Sequence, residues 1–429
     1  MSKDADTLTE IMRAAIAACQ PKRCLPIHLP PIPENGRIIV LGAGKAAAEM
    51  AAITEKTYIE RGLDPNSGRL LGSVATRHGY AVQTAIINVE EAGHPIPDNA
   101  SLNAANTALR LAAKATSDDL VLVLLSGGAS AIWCAPVPSV TLEQKGDVTR
   151  KLLHAGANIV EINAVRKHLS SIKGGRLVKA ANGAHILTLS ISDVSGDIQS
   201  AIGSGPTTGD ETTLRDARAA LDKYEISVGA NIKNALCDEA NETPDQNDAV
   251  FQNTTYRIIA SARHAMDAAA HKAEQLGYKN EILGDAIEGE AREIGRAHAH
   301  LALEKLHAQW RGVLISGGEL TVKVTGDGSG GPNQEYALSM LMELQGCKGI
   351  TALAADSDGS DGGKGAKYDP AGAFITPDTL NKAKALNLNP AIFLANNDSS
   401  SFFYKLNRHI VTGPTQTNVN DIRIILIDP

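Results

Sequence analysis

Four apolar segments of this chain each run directly into a loop of Gly, Ser and Asp. Leu120–Leu125 is followed by Ser126, Gly127 and Gly128, and the segment 312–315 by Ser316, Gly317 and Gly318. Segment 185–189 leads into a loop holding Asp193 and Asp197, and segment 350–355 into one holding Asp356, Asp358 and Asp361. A short continuous apolar run is what a strand buried on both faces looks like, the situation in a helix-covered parallel sheet. In such sheets ligands collect outside the carboxyl ends of the strands. Glycine there lets backbone N–H groups approach an anion, and carboxylates can hold Mg²⁺ beside it. The pattern directs the chain to an α/β architecture and to a phosphorylated ligand handled with a metal.

Composition narrows the function further. A chain of 429 residues is long for a single core, so two or three domains are expected. The net charge of −7 argues against nucleic acid as a partner, whereas a small anionic substrate needs only a local basic pocket. Aromatic residues make up 3%, so helices are expected to pack on sheets through Ala and Gly. Cys19, Cys24, Cys134, Cys237 and Cys347 contain no CxxC pair, which supports neither a zinc site nor a disulfide framework and fits a reducing cytoplasm. Asp4, Asp6 and Glu10 in the first helical pattern are unlike a signal peptide, and no apolar run is long enough for a bilayer, so no membrane partner is expected. The oligomeric state is left open, a homodimer included.

Along the chain, a helix over 8–19 precedes a Pro-rich linker at 21–33. Strands are expected at 37–41, 70–76, 85–89, 120–125 and 185–189, with helices at 45–61, 100–115 and through most of 142–173. This βαβ alternation argues for a parallel sheet. The polar stretch 238–248 is the expected boundary. A second series follows, with strands at 255–260, 280–283, 312–315, 320–324 and 350–355 and helices at 263–276, 288–307 and 334–343. The expected domains are thus 1–240 and 249–389; the tail from about 390 to 429, with strands near 409–411 and 422–427, could close either one, packing back on the first included.

Several motifs carry candidate chemistry. Gly42-Ala43-Gly44-Lys45-Ala46-Ala47 follows a strand and opens a helix, matching the dinucleotide fingerprint. That makes an NAD(P)H-dependent reductase a rival reading. The second strand ends at Thr76-Arg77-His78, with no acid to hold an NAD ribose, although Arg77 suits a 2′-phosphate. Lys45 at a helix N-terminus opposes the macrodipole unless an anion is bound there. The plain alternative is a tight turn with Lys45 in solvent. The two Ser-Gly-Gly loops read as phosphate cradles or as simple turns, and the five aspartates as Mg²⁺ ligands or as helix caps. Arg166 and Lys173 lie in a basic stretch and could clamp a carboxylate or phosphate. His94, in the rigid Gly93-His94-Pro95 loop, could orient a substrate. Trp133 and Cys134 read as packing residues.

Together these segments resemble the class II glycerate 2-kinases, which join a glycerate-kinase N-terminal domain to a MOFRL C-terminal domain. The matching stretches include GAGKA at 42–46, GHPIPD at 93–98, LLSGGASA at 124–131, INAVRKHLSSIKGGRL at 162–177 and SDVSGD at 192–197. They continue with ISGGE at 315–319, SDGSDG at 357–362, DPAGAF at 369–374 and TGPTQTNVND at 412–421. The resemblance implies a Rossmann-like parallel sheet covered by helices, a smaller α/β domain, and an active site in the interdomain cleft. It implies transfer of the ATP γ-phosphoryl group to the 2-hydroxyl of D-glycerate with Mg²⁺, with Lys45 matching the family's active-site lysine. On this reading Lys45, Gly42, Gly44 and the Ser126–Gly128 and Ser316–Gly318 donors serve the phosphates. Asp193, with Asp197 or Asp358, holds Mg²⁺ or takes the hydroxyl proton. Arg166, Lys173, His94 and Asn333 bind substrate. One departure stands out: the family commonly reads Gly-Gly-Arg-Asn-Gln-Glu where this chain has Gly330-Gly331-Pro332-Asn333-Gln334-Glu335. A third reading, a non-catalytic phosphate sensor, would need no carboxylates beside the loops.

Overall fold

The structure is a computed structural model and describes residues 3–363 and 368–429. The chain forms two compact units, Cys24–Ile259 and Met1–Arg23 with Ala260–Pro429.

The first unit is built on a six-stranded sheet of β1 (Ile38–Ala43), β2 (Leu70–Arg77), β3 (Asn88–Ala92), β4 (Leu120–Leu125), β5 (His185–Ile191) and β6 (Thr254–Ala260). Their order is β3-β2-β1-β4-β5-β6, and the ladders joining β1 through β5 are parallel. This is the doubly wound order, in which the direction of winding reverses between β1 and β4. Every residue of β1 is buried, as helices on both faces require. The covering helices pack through small side chains: Ala104, Ala105, Ala108 and Ala112 of helix Asn99–Ala112 are buried against the sheet. Asp98 starts that helix by accepting the Ser101 N–H at 2.9 Å while Ser101 Oγ accepts the Asp98 N–H at 3.2 Å, a reciprocal cap. Thr141 and Asn158 cap Leu142–His154 and Ile159–His168 in the same way, so the helical stretch expected through most of 142–173 is made of two helices.

The second unit carries a mixed sheet of β7 (Lys279–Gly284), β9 (Gly312–Gly318), β11 (Ile350–Asp356), β12 (Gly372–Ile375), β13 (His409–Ile410) and β14 (Asp421–Ile427), ordered β13-β12-β11-β14-β9-β7. β8 (Gly289–Glu290) and β10 (Leu320–Thr321) form a separate short ladder, where a longer strand to residue 324 was expected.

Two placements differ from the sequence reading, and a third resolves a choice that it left open. The strand at 254–260 does not open the second unit but is the outer strand of the first sheet, beside β5. The polar stretch 238–248 is a surface connection whose Asp238 and Asp248 cap short turns at 3.0 and 2.9 Å, so its composition reports solvent exposure rather than a division between the units. The tail does not return to the first unit: β14 lies between β11 and β9, antiparallel to both. All seven of its residues are buried, which its continuous apolar run Ile424–Ile427 demands. The first helix, Lys3–Ala18, belongs to this second unit as well, burying Leu8, Ile11, Met12 and Ala15 and pairing Glu10 with Lys272 at 2.5 Å.

The amino ends of the two central strands of the first sheet are joined by Asp119. Its carboxylate accepts from Arg37 N, Nε and Nη2 at 2.7, 3.1 and 2.6 Å and from Thr116 N at 2.9 Å. Arg37 holds that carboxyl well below the usual range. A depressed folded-state pKa adds stability that is present above about pH 4 and lost as the pH falls below it. Asp119→Ala should therefore cost about 2 kcal/mol at pH 7, read from urea unfolding, and Asp119→Asn should flatten the acid arm of stability below pH 4. An unchanged acid arm would remove Asp119 from this role.

Candidate active site

The site is built at the winding reversal, where the turns after β1 and β4 meet. Lys45 N donates to Gly127 O at 2.8 Å, Ala46 N to Ser126 Oγ at 2.9 Å, and Ser126 N to Ala43 O at 3.1 Å. The contact is close enough to demand glycine. Gly44 has φ +132°, and a Cβ there would lie 2.2 Å from Ser126 Oγ. On the other side Gly128 has φ +84°, and a Cβ there would lie 2.8 Å from the His94 ring, so His94 is packed against this loop.

These bonds redistribute the phosphate donors expected from sequence. The amides of Gly44, Lys45, Ala46 and Ala47 already have acceptors, in Ala75 O, Gly127 O, Ser126 Oγ and Gly44 O. The Gly42–Gly44 turn is therefore occupied by its neighbour loop and is not an open dinucleotide cradle. The Gly127 and Gly128 amides, in contrast, have no acceptor among the described residues. Gly127 is itself buried.

Beyond Gly128 the chain enters a basic pocket of about 610 Å³. Ser130 sits at its base. Lys173 Nζ donates to Ser130 O at 2.8 Å, Ser130 Oγ at 3.1 Å and Gly203 O at 3.4 Å. Arg166 donates to the same hydroxyl and to Asn163 Oδ1 at 3.3 Å, and Ser130 Oγ lies 2.8 Å from Ser204 Oγ. Lys145, which sequence reasoning missed, reaches the pocket from helix Leu142–His154 and donates to Leu169 O at 3.0 Å. Lys145 and Lys173 are buried and Arg166 partly so. None of the three pairs with a carboxylate among the described residues. Burial pushes Lys145 down to about 8 and Lys173 well below its ordinary value, with Arg166 adding repulsion in both cases. Uncompensated buried cations are costly, so the pocket is organised for an anion. Its outer wall is apolar, from Pro95, Ile96, Pro97, Leu142 and Leu153, with Glu143 exposed on the rim.

Other residues of the basic stretch are structural. Lys167 pairs with buried Asp210 at 3.1 Å, and His168 Nε2 lies 2.9 Å from Glu242 and 3.1 Å from Thr243. Cys134 and Trp133 are buried in packing, as expected. Asp193 and Asp197 lie on the loop after β5, at the same carboxyl edge of the first sheet, both partly exposed.

The second unit treats its candidate residues differently. Ser316, Gly317 and Gly318 are not a loop: they are the last three residues of β9, paired with Arg423, Ile422 and Asp421 of β14. Their backbone groups face a neighbouring strand, and buried Arg423 donates to Ser316 Oγ at 3.3 Å and Gly317 O at 2.6 Å. A phosphate cradle is thus replaced by a strand end. The sequence could not separate the two because Ser-Gly-Gly fits either backbone. Asn333 is fully buried, with its amide donating to Asp361 at 3.2 Å and Asp421 at 2.6 Å. Pro332 opens helix Pro332–Leu344, where no N–H is needed, and the Asp361 carboxylate accepts the next two amides at 3.0 and 2.9 Å. Burial pushes Asp361 up to about 7 against the pull of those bonds. Asp358 is buried in the adjoining turn and accepts from Ser360 N at 2.9 Å. Among the described residues no three His, Cys, Asp or Glu side chains converge as a metal cage.

A parallel sheet with a basic pocket at its winding reversal is the arrangement of an α/β protein that binds a small anionic ligand. Residues 7–237 match the family model described as a domain of unknown function, DUF4147, and residues 312–421 match the MOFRL family. A D-glycerate 2-kinase of Thermotoga maritima is 37% identical over 97% of each chain. A protein of Agrobacterium vitis, provisionally named a hydroxypyruvate reductase, is 42% identical over 98% of this chain and 94% of its own. The crystal structure of a Thermotoga maritima glycerate kinase superposes with a TM-score of 0.88 at 35% identity, covering 98% of this chain and 99% of the other. The chain belongs to the glycerate 2-kinase family that joins these two domains.

If the joined turns organise the site, Gly44→Ala should cost more than about 2 kcal/mol and abolish anion binding. Gly62→Ala, at φ +91° with nothing within 4 Å, should cost only the backbone strain, about 1 kcal/mol. Equal losses in urea unfolding would show that the contact with Ser126 is not the constraint.

Proposed function

We propose that this protein is an ATP-dependent D-glycerate 2-kinase, transferring the γ-phosphoryl group to the 2-hydroxyl and giving 2-phosphoglycerate and ADP. The observation that supports it most is the pocket holding Lys145, Arg166 and Lys173, none paired with a carboxylate among the described residues, opening beside the acceptor-less Gly127 and Gly128 amides. Phosphoryl transfer asks mainly for positioning and charge neutralisation. Arg166, with a planar guanidinium whose donors exceed its two protein acceptors, holds the glycerate carboxylate. Lys173 keeps Ser130 and Gly203 in place. Lys45 and the Gly127 and Gly128 amides serve the ATP phosphates. Asp193 takes the proton of the 2-hydroxyl as its oxygen bonds to phosphorus and ADP leaves.

The hard oxygens of Asp193 and Asp197, partly exposed at the carboxyl edge of the sheet, suit Mg²⁺, with Asp358 a further candidate. When bound, Mg²⁺ would neutralise phosphate charge. No disulfide joins the five cysteines, and among the described residues no helix is long and apolar enough to cross a membrane; a cytoplasmic location accords with both.

The reductase reading has less support from these residues. β2 ends at Arg77 without an acid for a ribose, and the amides of the fingerprint turn already have acceptors. Incubation with D-glycerate and ATP–Mg²⁺ should yield ADP, and incubation with hydroxypyruvate should leave NADH and NADPH unoxidised; the reverse pattern would overturn the proposal. Arg166→Met should raise KM for D-glycerate at least thirtyfold, about 2 kcal/mol, with a smaller effect on KM for ATP.

A further inference from the structure

Glycerate presents one negative charge, yet the pocket supplies more than one carboxylate can use. Lys173 gives Nζ hydrogen bonds to three protein oxygens, Ser130 O, Ser130 Oγ and Gly203 O. Lys145 has one acceptor, Leu169 O, so its ammonium retains two donors. Arg166 retains donors of its own. Two cations with unused donors therefore share the cavity, on different helices, Leu142–His154 and Ile159–His168.

We propose that the pocket is built for a ligand with two anionic groups, a carboxylate with a phosphoryl group beside it, and that Lys145 is the side chain that takes the phosphoryl oxygens. The ligand class is a phosphorylated hydroxy acid, which in the kinase reading is the product; the inference rests on that reading. The groups facing Lys145 are the Cys134 thiol, Arg166, Lys173 and Arg176, with Glu143 and Arg150 on the rim. Apart from the exposed Glu143, none supplies a fixed negative charge. An incoming phosphoryl group with a carboxylate beside it therefore raises the Lys145 pKa, and binding near pH 8 takes up a proton.

Isothermal titration of the full chain at pH 8, in Tris and in HEPES, tests this with D-glycerate, inorganic phosphate and 2-phosphoglycerate as probes. 2-Phosphoglycerate should bind at least tenfold more tightly than D-glycerate and take up about half a proton more, seen as a buffer-dependent enthalpy. Lys145→Met should lose both the preference and the added uptake. Lys145→Arg, which keeps the charge but does not titrate, should keep the preference and lose the uptake. Phosphate binding should weaken in Lys145→Met. Equal affinity for the two acids, or a preference and uptake unchanged in Lys145→Met, would overturn the proposal. ADP formation from D-glycerate, measured on the same preparation, separates the two levels. Turnover without the preference removes only this inference, whereas absence of turnover with D-glycerate removes the kinase reading.

Discussion

The site depends on one contact, the junction of the turns after β1 and β4. Three hydrogen bonds join them, and Gly44 is the residue that lets them approach. The junction fills what would otherwise be an open dinucleotide cradle, because it provides acceptors for the Lys45 and Ala46 amides. It also fixes the direction in which the chain leaves Gly128, and with it the position of Ser130. Ser130 in turn gathers Lys173, Arg166 and Ser204. A backbone contact at the reversal point of the sheet thus sets the geometry of side chains from three separate segments.

Charge is the second constraint. The protein carries an overall negative charge, yet this pocket concentrates basic groups that have no acidic partner nearby. Elsewhere in the first unit buried Lys167 is paired with Asp210 and buried Asp119 with Arg37, and buried Glu55 accepts three backbone amides. The second unit shows the opposite imbalance. Asp358, Asp361 and Asp421 are buried with Arg423 as the nearby cation, and amides of Asn333 and Gln334 complete the hydrogen bonding. There the carboxylates serve the helix that Pro332 opens, and the basic group common in the family at that place gives way to a residue suited to a helix start.

Much of the fold was legible because buried strands announce themselves. The segments at 38–43 and 120–125 are apolar throughout and 185–191 carries Ile and Leu at four of its seven positions, and each was placed within a few residues. The assignment of β6 and β14 was not legible. A strand at a chain boundary looks the same whichever sheet receives it, since pairing is decided by contacts distant in sequence. The site was legible in part. Arg166, Lys173 and the Ser126–Gly128 loop come together, whereas Ser316–Gly318 proves to be a strand end. Lys145 was invisible because a lysine in a polar helix reads as a solvated one until the packing around it is known.

The sequence by itself determined the α/β class, the strand-to-loop junctions and the family, because apolar runs and glycine requirements are local properties of the backbone. The tertiary structure decided which of those loops could receive an anion. That choice depends on which backbone amides lack an acceptor and which cations lack a counter-charge, and both follow only from contacts between segments far apart in the chain.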